Sequence, residues 1–114
     1  MNIHKNNPVR SFKVGKNTIY DCGKIELESN EMLSFKTHSG REYDFTAKPW
    51  GFYASPSING RLKHEGFKTA LVQNSKGRIF LMCVEKDKVD AFLDYLREDQ
   101  QEVLEWLHER DASS

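Results

Sequence analysis

Nowhere in this chain does an apolar run approach the roughly 18 residues that a membrane-spanning helix needs. The opening residues, Met-Asn-Ile-His-Lys-Asn-Asn-Pro, lack the apolar core of a secretory signal. Cysteine is scarce. Cys22 and Cys83 are the only two, so one bridge is the most the chain could form. Without an export signal, the expectation is a soluble cytoplasmic protein with both thiols reduced. Neither sign of charge is in excess, since Lys plus Arg and Asp plus Glu each number 17. Proteins that hold nucleic acid mainly by its phosphates are usually more basic. A protein partner or a homodimer is therefore expected ahead of nucleic acid.

Catalytic signatures are also missing. No serine lies in a Gly-x-Ser-x-Gly turn, and Gly51, Gly60 and Gly66 match no phosphate-cradling spacing. His4, His38, His64 and His108 are scattered, and none stands at metal-ligand spacing from a cysteine or carboxylate. No catalytic residue, metal or cofactor is expected, and the chain reads as a binding module rather than an enzyme. A small enzyme with an unrecognised site is the third alternative.

What is present suits one small domain spanning residues 1–114: 38% of residues are apolar and 11% aromatic. Residues 1–9 are polar and broken by Asn6-Asn7-Pro8, which suggests a loose terminus, and 110–114 a frayed tail. Short β-prone runs follow, joined around Gly15 and interrupted at Gly23. Residues 31–38 and 41–48 alternate across Ser39-Gly40 and read as a hairpin, with Leu33, Phe35, Tyr43, Phe45 and Ala47 inside. Residues 67–74 and 78–85 form another strand pair. In the second of these Ile79, Leu81 and Cys83 occupy one face, and Phe80, Met82 and Val84 the other. A strand apolar on both faces reads as one covered on both sides.

Residues 88–109 show helical spacing. Val89, Phe92, Leu93, Leu96, Val103, Leu104 and Leu107 fall on one stripe, with Tyr95 and Trp106 beside it. Asp87 reads as its N-cap. Asp99-Gln-Gln-Glu102 resembles a capping box, so a break near Glu98 is expected. The fold class expected is α+β: an antiparallel sheet of six or seven strands, strongly curled or partly closed into a barrel, capped by a C-terminal helix. Phe35, Phe45, Leu71, Leu81 and Leu96 are its expected core.

Between the strand blocks lies a stretch, 48–67, with too many prolines and glycines for one regular element. It carries Trp50, Phe52 and Tyr53, then Ser55, Asn59, Arg61, Lys63 and His64. Long loops in compact domains are usually functional or disordered, and three aromatics argue against disorder. The rings would offer a stacking or docking surface. Arg61, Lys63 and His64 would receive an anion, with Ser55 and Asn59 as donors. The simpler use for three such rings is to plug an open end of the barrel or cover an exposed sheet face. Trp50, Tyr53, Ser55, Asn59, Arg61, Lys63 and His64 are the candidate ligand residues. The function expected is protein–protein or self-association through this loop and the helix face, with nucleic-acid or phosphate-ligand binding through the same loop as the alternative.

Overall fold

A computed structural model describes residues 1–111, so the last three residues of the expected frayed tail lie outside it. Strand accounts for 52% and helix for 15%, which makes the protein mostly β rather than α+β. The strands are β1 (Asn2–Val14), β2 (Asn17–Glu26), β3 (Met32–Lys36), β4 (Glu42–Lys48), β5 (Gly51–Ala54), β6 (Phe67–Gln73), β7 (Ile79–Glu85) and β8 (Glu102–Trp106). One helical turn, α1 (Arg61–His64), and one longer helix, α2 (Val89–Glu98), interrupt them. Among the described residues the expected single sheet of six or seven strands does not form, and no sheet closes into a barrel. Instead there are three small sheets, ordered β1-β2, β3-β4-β5 and β7-β6-β8. Alternation in a sequence marks strands, but it does not choose their neighbours: two sheets join consecutive strands, whereas in the third β8 crosses over β7 and α2 to pair with β6.

Contacts cluster into two compact units, Met1–Leu33 with Phe45–Tyr53, and Ser34–Asp44 with Ala54–Ser114. In the first unit, residues 2–14 form a strand where the sequence suggests a loose end. The β1-β2 ribbon is antiparallel, with Ile3 opposite Ile25 and Phe12 opposite Ile19. Its register shifts between Lys5 and Arg10. Beside that bulge Gly23 has φ 146, and a Cβ there would sit 2.0 Å from the His4 carbonyl oxygen. Only glycine fits so close an approach. Cross-strand partners share a face, so Ile3 lies beside Ile25 at one end of the ribbon and Phe12 beside Ile19 at the other. All four are exposed.

In the second unit β6 is the central strand and β7 and β8 are its edges. Ala70, Val72 and Leu96 form the buried cluster, with Met82, Phe92, Val103 and Trp106 packed against it. Phe92 meets Trp106 edge to face at 5.7 Å between ring centres, an orientation that aromatic quadrupoles favour. On the opposite face of β6 the Phe67 ring lies 6.0 Å from Tyr43. The strand buried on both faces is therefore β6, not β7. Leu81 is 53% exposed and Phe35 54%, which removes both from the expected core, whereas Leu96 is buried. Phe45 and Leu71 are half-buried.

The expected helix over 88–109 ends at Glu98, and the residues beyond it form β8 instead of a second helical piece. The stop is a Schellman motif. Gln100 takes a left-handed φ of 55, the Gln101 N–H donates to the Leu96 carbonyl at 2.8 Å, and the Gln100 N–H to Arg97 at 3.3 Å. Glutamine at a position that favours glycine hid this stop. Trp106 and Tyr95 therefore do not share a helix face. His108 is buried with its ring 5.4 Å from Trp106. The N-cap is Lys88 rather than Asp87. Among the described residues no helix is long and apolar enough to cross a membrane.

Candidate docking site on the aromatic segment

The stretch 48–67 is not one open loop. β5 occupies 51–54 and α1 occupies 61–64. Trp50 sits in the turn between β4 and β5, where Gly51 supplies φ 143. A positive φ of that size is reached readily only without a Cβ. The rings point outward: Trp50 is 72% exposed, Phe52 70% and Tyr53 43%. They do not plug a sheet. Trp50 and Tyr53 stack with 6.2 Å between centres and 25° between planes. Phe52 meets Phe45 edge to face at 6.2 Å. Adjacent strand residues point to opposite faces, and β5 is an edge of its sheet. Aromatic surface is thus offered on both sides of a short edge strand.

The polar candidates belong to the second unit. The Ser55 N–H donates to the Asp44 carbonyl at 2.9 Å. The Asn59 amide donates to the Arg110 carbonyl at 3.2 Å. Arg61 lies 3.0 Å from a Glu65 oxygen and 3.7 Å from Asp44. Its guanidinium is therefore directed at two carboxylates of its own chain, which would have to be displaced before a phosphate could take their place. Lys63 and His64 are exposed on the same helical turn. Ser57 holds that turn, its hydroxyl accepting the Arg61 N–H at 2.9 Å, and Leu62 anchors it in the core. Trp50 and Tyr53 are brought together in the first unit, and α1 groups Arg61, Lys63 and His64 in the second.

No local sequence pattern marks the polar cluster around Glu85. This carboxylate accepts hydrogen bonds from the hydroxyls of Ser39 and Thr37. It also lies 3.1 Å from the Lys88 ammonium and 3.4 Å from the Arg41 guanidinium. Arg41 reaches Asp87 as well, at 3.4 Å. The Ser39 hydroxyl above all, then Lys88 and Thr37, hold the Glu85 carboxyl down at about 2. Thr37 and Glu85 are 48 positions apart, so no local pattern could pair them. Behind Arg41, Gly66 has φ 98, and a Cβ there would fall 2.0 Å from the Arg41 guanidinium. The cluster fastens the β3-β4 turn to the end of β7, and every charge in it has a partner.

Both thiols are free. Cys22 is exposed, and Cys83 lies on the exposed edge strand. Burial nevertheless pushes the Cys83 thiol pKa up, and the thiol faces the Tyr43 hydroxyl, whose own pKa is raised by burial to about 12. An open groove of about 490 Å³ runs along β8, lined by Leu104, Trp106 and the Glu105–Arg110 ion pair. Among the described residues no three His, Cys, Asp or Glu side chains are grouped to hold a metal ion. No protein-family model, characterised protein or solved structure matches the chain.

Proposed function

We propose that this chain is a docking module that binds another protein surface through the aromatic strip of Trp50, Phe52 and Tyr53. The observation that carries this reading is the exposure of all three rings within four positions, two of them about 70% exposed. Tryptophan and tyrosine are the residues that most often anchor protein interfaces, because they bury large areas at little entropic cost. The balanced charge supports apolar docking over phosphate binding. So does the commitment of Arg61 to Asp44 and Glu65.

The test is selection of a random peptide library on the purified protein, followed by affinity measurements with Trp50→Ala. Enriched peptides should be rich in apolar residues, bind nearly independently of salt, and lose at least tenfold in affinity on this substitution. Peptides unaffected by Trp50→Ala, or none enriched, would refute the reading. A single-stranded oligonucleotide that quenches Trp50 emission, with an affinity falling steeply as salt rises, would favour the nucleic-acid alternative.

A further inference from the structure

β7 hydrogen-bonds to β6 alone among the described strands. The β6-β7 ladder pairs Phe67 with Glu85 and Gln73 with Ile79. Just beyond its ends, the Asn74 N–H donates to Arg78 and the Lys86 N–H to Gly66, both at 2.9 Å. Hydrogen-bonded pairs alternate along an antiparallel ladder. Even-numbered residues of β7 therefore bond to β6, and the N–H and C=O groups of Ile79, Leu81 and Cys83 point to the free edge, while the Glu85 carbonyl accepts the Lys88 N–H at 2.9 Å.

Native sheets blunt such edges with lysine, proline, bulges or a covering element. β7, Ile-Phe-Leu-Met-Cys-Val-Glu, has no lysine, no proline and no register shift against β6. Ile79, Phe80 and Leu81 are exposed, as is Cys83, while Val84 and Glu85 are buried under the rest of their unit. The open segment is 79–83. It is apolar on both faces and carries no charge.

We infer that β7 pairs antiparallel with β7 of a second copy about a twofold axis at Leu81, joining two three-stranded sheets into one of six strands. Self-complementarity identifies the occupant. A twofold axis perpendicular to a sheet keeps each side chain on its own face, so symmetric registers centre on one residue. Centred on Leu81, the segment 79–83 pairs with itself. Leu81 faces its copy, Ile79 faces Cys83 on the same side, and Phe80 faces Met82 on the other. The outward groups of residues 79, 81 and 83 are then all bonded. Shifting the centre to Met82 would set Arg78 against Lys86, like charge on like, and would draw buried Glu85 into the ladder. The net charge of zero puts no long-range repulsion between copies. This interface is separate from the β5 strip, so either proposal can fail alone.

The test is disulfide trapping in a Cys22→Ser, Cys83→Ser background. Leu81→Cys places two thiols in a hydrogen-bonded pair with Cα atoms about 5.5 Å apart, within bridging range. Phe80→Cys leaves its copies offset by two residues, about 7 Å along the strand, and out of range. Mild oxidation should convert Leu81→Cys, but not Phe80→Cys, to a covalent dimer. The Leu81→Cys cross-link should persist when Trp50→Ala is added. Leu81→Lys should weaken dimerisation at least tenfold by sedimentation while leaving the circular dichroism of the monomer unchanged. Equal cross-linking at 80 and 81, no cross-linking at 81, or a dimer indifferent to Leu81→Lys would each overturn the inference.

Discussion

Replacing Leu62 or Leu81 by alanine removes the same atoms from two very different places. Leu62 is fully buried on α1, whereas Leu81 is 53% exposed on β7. Three methylene-sized groups at about 0.8 kcal/mol each give about 2.4 kcal/mol of lost transfer energy at Leu62. The cavity left behind raises the cost to about 3–4 kcal/mol. At Leu81 about half of the transfer energy is at stake and no closed cavity forms, so the cost is about 1 kcal/mol. The difference of about 2 kcal/mol should displace the urea midpoint by about 1–2 M for a small unit. The melts are best followed by Trp106 emission in a Trp50→Phe background, because Trp106 packs against Phe92 in the core of the second unit. Protein concentration should be low micromolar or below, where copies are separate. If Leu81→Ala costs as much as Leu62→Ala under those conditions, β7 is not an exposed edge and the burial argument fails.

Two further outcomes are expected. Cys22 should react with a thiol reagent at nearly the rate of the unfolded chain and Cys83 distinctly more slowly, because burial raises its pKa and less thiolate is present; equal rates in a colorimetric thiol assay would contradict this. Glu85 has a folded pKa of about 2 against an ordinary 4.5. Its contribution to stability is therefore complete above about 4.5 and is lost as pH falls toward 2, and Glu85→Gln should flatten melting temperature against pH in that window.

The local elements that could be read from sequence were those whose signals are local. The 31–48 hairpin appears as β3 and β4, because alternation and a turn glycine act over a few residues. The end of α2 was obscured by Gln100 in a place where glycine is usual, and the 3.6-residue spacing ran on by coincidence through Val103, Leu104 and Leu107. Strand partners could not be read at all. β6 and β7 both carry apolar residues on each face, and only the order β7-β6-β8 decides which of them is central. The same limit applies to the candidate site. The sequence marked Trp50, Phe52 and Tyr53, but whether such rings face in or out depends on which sheet edge they occupy. Arg61 looked available until folding set Asp44 and Glu65 beside it.

The β1-β2 ribbon has a consequence for the order in which the chain folds. All of its ladder partners lie within residues 2–26. It can therefore close as a hairpin on the microsecond scale, long before synthesis has delivered β6 and β7. Its Ile3–Ile25 and Phe12–Ile19 pairs, exposed in the finished molecule too, are then bare from the moment the ribbon closes. A two-stranded ribbon is marginal by itself in water. During translation these apolar pairs are a surface for chaperones and neighbouring nascent chains to contend for, and the yield of folded protein should depend on expression rate and temperature.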